Sequence, residues 1–286
     1  MRLSYYGLVY ARSRIDLLRY QDSLYTAFLQ AAKAKLRTGE TNLLEKVTAE
    51  TQLSEVRNSA YQAEADVEVF QEQLQALLAT DSLILTADTT LHRLPLPTLS
   101  EELLEQNPAL QLARKQVEVR KAETALERAR LLPDLKLGYT NRTIAGGHGN
   151  NGRDGFEPPQ EVSFGVAVPL WIKPYRKRVA AAELQAQEAQ KRLENIRNEL
   201  EAEVVAALQQ ALKLQGSLDY YEDTALPQAE LIISHATKAY RAGEINYQDY
   251  IQSLNRALAI RTNFLEALYQ YDRAVIELKF IIENQQ

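Results

Sequence analysis

Three histidines, His92, His148 and His235, are the side chains best suited to hold a transition metal, and they stand far apart without ligand spacing. Soft ions such as Cu(I) call for thiolate or thioether ligands, yet there is no cysteine and the only methionine is Met1. The sequence therefore predicts no metal site. Acid pairs such as Glu101-Glu102 lie on a polar helix start and read as solvated rather than as a general acid and base. The glycines Gly146, Gly147, Gly149, Gly152 and Gly155 lack the spacing, and the following helix, of a nucleotide-binding fingerprint. Neither an enzyme nor a cofactor-binding protein is expected. Without cysteine there is also no disulfide framework and no thiol nucleophile.

A different pattern does stand out. Arg37-Thr-Gly-Glu-Thr-Asn42 and Arg241-Ala-Gly-Glu-Ile-Asn246 are two copies of Arg-x-Gly-Glu-x-Asn, each followed three residues later by an acid, Glu45 or Asp249. Gly39 and Gly243 suit the left-handed conformation that ends a helix, with Arg37 and Arg241 near its negative end. Asn42 and Asn246 suit the N-cap of a returning helix, with Glu45 and Asp249 at the capping-box position. One reading is simply a well-built turn. The other is a duplicated tip at which something docks, spanning Arg37, Thr38, Gly39, Glu40, Thr41 and Asn42 in one copy and Arg241, Ala242, Gly243, Glu244, Ile245 and Asn246 in the other. Arg37, Glu40, Arg241, Glu244 and Asp249 offer ion pairs between the two tips; exposed pairs contribute about 0–1 kcal/mol each, so only a ring of them would gate anything.

Long helices must carry these turns. The helix after each copy has an apolar stripe at alternating three- and four-residue steps. It reads Leu53, Val56, Ala60, Ala63, Val67, Phe70, Leu74, Leu77 in one and Ala257, Ile260, Phe264, Ala267, Tyr271, Ala274, Leu278, Ile281 in the other. That is the seam of a coiled coil. Helix-forming residues run from Ser4 to about Arg37 and again to about Leu78. The stretch 80–98, with Asp81, Asp88, Pro95 and Pro97, reads as an extended connector. Ser100-Glu101-Glu102-Leu103 opens a short helix, and Asn107-Pro108 opens another that stops at Pro133. After Pro174 the helical pattern resumes to about Arg241, with breaks expected near Gly216 and Pro227. If continuous it would extend on the order of 100 Å, which points to an elongated assembly.

Between the helices the period changes to two. Leu135, Leu137 and Tyr139 alternate with polar or small residues, as do Val162, Phe164, Val166, Val168 and Leu170, predicting two strands of about ten residues. The segment 145–160 between them is glycine-rich and polar.

Composition narrows the setting. Of 286 residues, 45% are apolar and 25% charged, so the chain can build a core. Lys and Arg number 33 against 38 Asp and Glu, a net charge of −5, which gives nucleic acid no basic face to bind. No window approaches the ~18 apolar residues of a spanning helix. Phe164–Ile172 is the longest apolar run, and it contains Gly165 and Pro169. A membrane β-barrel, whose strands are short and half apolar, stays open. The N-terminus lacks a signal peptide's apolar core, so either the chain is cytoplasmic or its targeting signal lies outside this segment.

Taken in order, these features resemble the TolC-type outer-membrane efflux channels over nearly the whole chain. The carriers are Asn107-Pro-Ala-Leu-Gln-Leu-Ala-Arg with Leu132-Pro-Asp-Leu135, Phe164-Gly-Val-Ala-Val-Pro-Leu-Trp171, and Tyr240-Arg-Ala-Gly-Glu-Ile-Asn-Tyr-Gln-Asp-Tyr. The flavour is similar to channels of heavy-metal efflux pumps of the resistance–nodulation–division class. The resemblance implies a mainly α protein: two repeats of long antiparallel coiled helical hairpins, plus one β-hairpin contributing to a trimeric outer-membrane β-barrel. It implies a homotrimer in the bacterial outer membrane and periplasm, with outer-membrane lipid, a periplasmic adaptor protein and an inner-membrane pump as partners. On this sequence the divisions are 1–79, a first helical hairpin; 80–98, the connector; 99–133, a helix leading to the barrel; 134–172, the β-hairpin with external loop 145–160; and 173–286, the second helical hairpin. Tyr139 and Trp171 fall where aromatic residues anchor a barrel at the membrane interface, although Trp171 also suits a packed interior. Judged by the second repeat, roughly 100 residues of the first are missing upstream, so the chain reads as a C-terminal piece. The expected role is a passive conduit for heavy-metal cations or small toxic compounds in a tripartite efflux system. The rival reading is a soluble coiled-coil scaffold or adaptor-type hairpin protein.

Overall fold

The computed structural model describes residues 1–98, 104–141 and 160–283. The helix start at Ser100–Leu103, His148 and the loop expected at 145–160, Gln160 excepted, lie outside them. Among the described residues six long helices and one two-stranded antiparallel ribbon occur in the order α1 (Arg2–Thr38), α2 (Leu43–Leu78), α3 (Pro108–Ala129), β1 (Asp134–Asn141), β2 (Gln160–Ala167), α4 (Ile172–Tyr220), α5 (Leu226–Ala242) and α6 (Tyr247–Glu283). The chain divides into two units, one of Met1–Leu103 with Ala202–Asn284 and one of Leu104–Glu201.

In the first unit α1 and α2 form an antiparallel hairpin, and α5 and α6 form another. The predicted seams are buried at Leu53, Val56, Ala63, Leu74, Ala257, Tyr271, Ala274 and Leu278, whereas Leu77, at the end of α2, is exposed. One core cluster takes Tyr25 and Phe28 from α1, Leu53 and Val56 from α2, Ile233 from α5 and Leu254 from α6. Fully buried leucines such as Leu254 each stabilise the fold by about 1.5–3 kcal/mol relative to exposure. Gly7 lets the helices of the first hairpin close up, since a Cβ there would lie 2.4 Å from the Phe70 ring. A second cluster joins Val9, Leu91, Leu218, Leu268, Tyr271 and Val275. Leu91 belongs to the segment 80–98, which has no helix or strand, as its prolines and aspartates predicted. Because α6 meets α1, α5 and this segment, Tyr271–Ile276 is buried almost throughout, with Arg273 alone half-buried, a wider arc than one seam provides.

The break expected near Gly216 is absent: α4 runs through it, with Leu218 fully buried beside it, and packing outweighs the ~1 kcal/mol cost of a mid-helix glycine. The break before Pro227 is a π-helical segment, Tyr221–Ala225. Pro227 has no N–H to donate and its ring crowds the carbonyl four residues back; the wider π turn absorbs both. Likewise α4 starts at Ile172, two residues before Pro174, because a first-turn proline sacrifices no hydrogen bond.

In the second unit α3 begins at the Asn107 cap, whose Oδ1 accepts from the Ala109 N–H at 2.9 Å. Leu110, Ala113 and Val117 are its buried face. Arg128–Glu183 at 2.7 Å and Arg197–Glu105 at 3.2 Å tie this region to α4. In the ribbon, Asp134 pairs with Ala167 and Asn141 with Gln160. The second strand is shorter than predicted: it ends at Ala167, and Val168, Leu170 and Trp171 lie beyond it. Pro133 opposite Val168 has no N–H for another rung, and neither has Pro169.

Candidate functional site

The two glycine turns share one backbone. Gly39 and Gly243 both have φ of +77°, in the left-handed region. The N–H of Gly39 donates to Leu36 O and that of Glu40 to Lys35 O; Gly243 donates to Tyr240 O and Glu244 to Ala239 O. These paired bonds close each helix end and satisfy its orphan carbonyls. Asn42 Oδ1 accepts from Glu45 N at 3.2 Å, and Asn246 Oδ1 from Asp249 N at 2.9 Å. Both N-caps are therefore as the sequence predicted.

Their side chains differ. Arg37, Thr38, Gly39, Glu40 and Asn42 are exposed, as are Arg241, Ala242, Gly243, Glu244 and Asn246, while Thr41 and Ile245 are half-buried. Among the described residues of the single chain, Arg37, Glu40, Arg241, Glu244 and Asp249 form no ion pair; the charged tie considered between the tips is replaced by a buried one. Glu45 is 3% exposed. Its carboxylate accepts from Thr41 Oγ1 and from the hydroxyl of Tyr240, on the other hairpin. Tyr240 stacks on Tyr250 with ring centres 4.6 Å apart, Phe28 meets both rings, and the Lys35 ammonium lies 3.9 Å above the Tyr240 ring. Burial, then the Glu45 carboxylate, raises the Tyr240 phenol well above its ordinary value, so it stays a donor. The two turns are thus fastened side by side.

Glu45 looked like a capping-box acid and Tyr240 stood out only as the start of the motif around the second turn, so this tie was not foreseen. The available signal was the asymmetry between the copies: Tyr240 stands where the first copy has Leu36, and Glu45 is one methylene longer than Asp249.

The ribbon is the second candidate. Pairing sets Leu135 opposite Val166, Leu137 opposite Phe164 and Tyr139 opposite Val162, so six large apolar side chains share one face. They are 54–81% exposed. The other face carries Lys136 with Gly165, Gly138 with Ser163 and Thr140 with Glu161. Trp171, 80% exposed in the single chain, precedes α4. No helix among the described residues is long and apolar enough to cross a membrane. An alternating two-stranded ribbon follows the barrel rule instead.

Comparison with known proteins agrees with this architecture. Over 284 residues the chain is 24% identical to the cobalt-zinc-cadmium resistance protein CzcC of Cupriavidus metallidurans, covering 98% of this chain and 66% of that protein. It therefore spans just under two thirds of that relative's length. Among solved structures, CusC superposes with a TM-score of 0.81 at 18% identity, covering 98% of this chain and 66% of that one. The Campylobacter jejuni CmeC outer membrane channel superposes with a TM-score of 0.72 at 17% identity, covering 98% and 61%. These likenesses establish the fold, a TolC-like arrangement of helical hairpins and barrel strands. Residues 99–283 match the family described as outer membrane efflux protein, and the chain belongs to that family.

Proposed function

We propose that the protein is the outer-membrane channel component of a tripartite efflux system, a passive conduit that performs no chemistry. The observation that carries this reading is the ribbon: six large apolar side chains stand exposed on one face, with polar or small residues behind them. Left in water, such a face would be an aggregation liability. Placed in a barrel wall, it meets lipid while its reverse faces a polar lumen. Three copies around one axis supply the neighbouring strands that a lone ribbon lacks. Tyr139 and Trp171 then sit as interface anchors.

The exposed rims of the paired turns, Arg37–Asn42 and Arg241–Asn246, are the docking surface for a periplasmic adaptor and, through it, an inner-membrane pump of the resistance–nodulation–division class. The Glu45–Tyr240 tie holds the two rims in one shape for that partner. The cargo is heavy-metal cations or small toxic compounds, in keeping with the cobalt-zinc-cadmium relative. A conduit needs no dedicated ligands, and no group of metal-ligating side chains forms among the described residues.

The test uses the full-length protein. Extraction from outer membranes should require detergent, and planar bilayers should show discrete conductance steps. A strain lacking its outer-membrane component should regain cobalt, zinc or cadmium resistance on complementation. A protein recovered without detergent as a monomer that gives no conductance would overturn the channel reading.

A further inference from the structure

A carboxyl group unrelated to the turns lies deep in the first unit. Asp272 on α6 is 0% exposed. One oxygen, Oδ1, accepts from the Leu94 N–H at 2.9 Å, while Oδ2 has no partner among the described residues. The neighbouring Tyr271 hydroxyl donates to Leu94 O at 3.1 Å. Both backbone groups of Leu94 are therefore gripped by consecutive residues of one helix. The rest of the segment 80–98 is laced to α1, where Tyr5 donates to Asp88 at 2.9 Å, Arg12 to Thr86 at 2.6 Å, and Ser13 Oγ accepts from Leu91 N at 2.9 Å. The segment is a strap held on α6 by the Leu94 clamp and by Leu91, which packs with Leu268, Tyr271 and Val275.

We infer that Asp272 and the Leu94 backbone form a latch worked by a single proton, closed while the carboxyl is neutral and slackened when it ionises. An isolated charge with an unpartnered oxygen in a dry site is costly, whereas a neutral carboxyl still accepts from Leu94. The surrounding groups do not cancel that charge. On the strap, Arg93 is engaged at 2.7 Å by Asp219 of α4 and at 2.9 Å by Glu222 of the π segment. On α1 the facing groups are the phenol of Tyr6, itself raised by burial and by Asp88 and Asp272, and Arg2 beside it. On α6 the neighbour is Tyr271, while Arg273 lies over the Tyr269 ring and 3.5 Å from Glu277. His92 is exposed and paired with Thr90.

Burial lifts Asp272 from 3.8 to about 7, against the opposing pull of the Leu94 N–H and Arg93. The closed latch thus holds a proton that the open form releases. Its stability is complete below about pH 4, declines as pH rises, and has lost this contribution above about 7.

Hydrogen exchange of the Leu94 amide in the full-length protein, in detergent micelles and corrected for intrinsic rate, tests the latch. Protection should fall roughly tenfold per pH unit from pH 5.5 and level off near pH 7. In Asp272→Asn it should be flat, and in Arg93→Gln the levelling point should move upward, because a stabilising cation is gone. His92→Gln should leave the profile unmoved. Flat protection in the unmodified protein, an unchanged slope in Asp272→Asn, a downward shift in Arg93→Gln or a lost slope in His92→Gln would each overturn the proposal. Should Asp272→Asn fail to fold, the direction of the Arg93→Gln shift decides alone.

Discussion

The first and second glycine turns carry one motif and the same backbone, yet only the first buries its acid. Glu45 reaches into the core and takes the Tyr240 hydroxyl, whereas Asp249 stays exposed and contributes only its N–H to the Asn246 cap. Where the second hairpin supplies Tyr240, the first has Leu36. Backbone geometry was thus kept in both copies, while the side-chain tie runs one way, from the second hairpin to the first. Duplication preserves what the local chain requires, and packing differentiates what the neighbours require.

That contrast can be broken experimentally. Glu45→Ala removes the acceptor of two hydroxyls, and denaturant unfolding should show a loss of about 2–3 kcal/mol. Tyr240→Phe leaves the buried carboxylate one donor short and should cost about 1.5–2 kcal/mol, with little further loss when added to Glu45→Ala. Gly39→Ala and Gly243→Ala should each cost about 1 kcal/mol, and equally, since both positions have the same φ with open space around the added methyl. Unequal losses would show that the turns are not equivalent in backbone strain. Asp249→Ala should cost only about 0.5 kcal/mol, the worth of an exposed acid at a helix start. A cost matching that of Glu45→Ala would erase the distinction between the copies.

Much of this was legible in the residues. The seams at Leu53–Leu74 and Ala257–Leu278, the left-handed glycines, the asparagine caps and the ribbon's alternation follow from local periodicity and turn chemistry, which need no partner. Strand ends and helix breaks were less legible: Gly216 reads as a breaker until Leu218 is seen to be buried, and Val168 and Leu170 continue an alternation that Pro133 on the other strand forbids. Asp272 was not foreseen, since nothing in the sequence around it indicates that Leu94, 178 residues away, brings its N–H to that carboxylate.

By itself the sequence determined the helices, their glycine turns and the apolar face of the ribbon, because backbone preference and side-chain period act over a few residues. Only the tertiary structure decided which acid is buried, which tyrosine fastens the two hairpins and how the strap at 80–98 is held. Those choices depend on which distant side chain fills the space beside a group, and on the cost of leaving a buried polar atom without a partner.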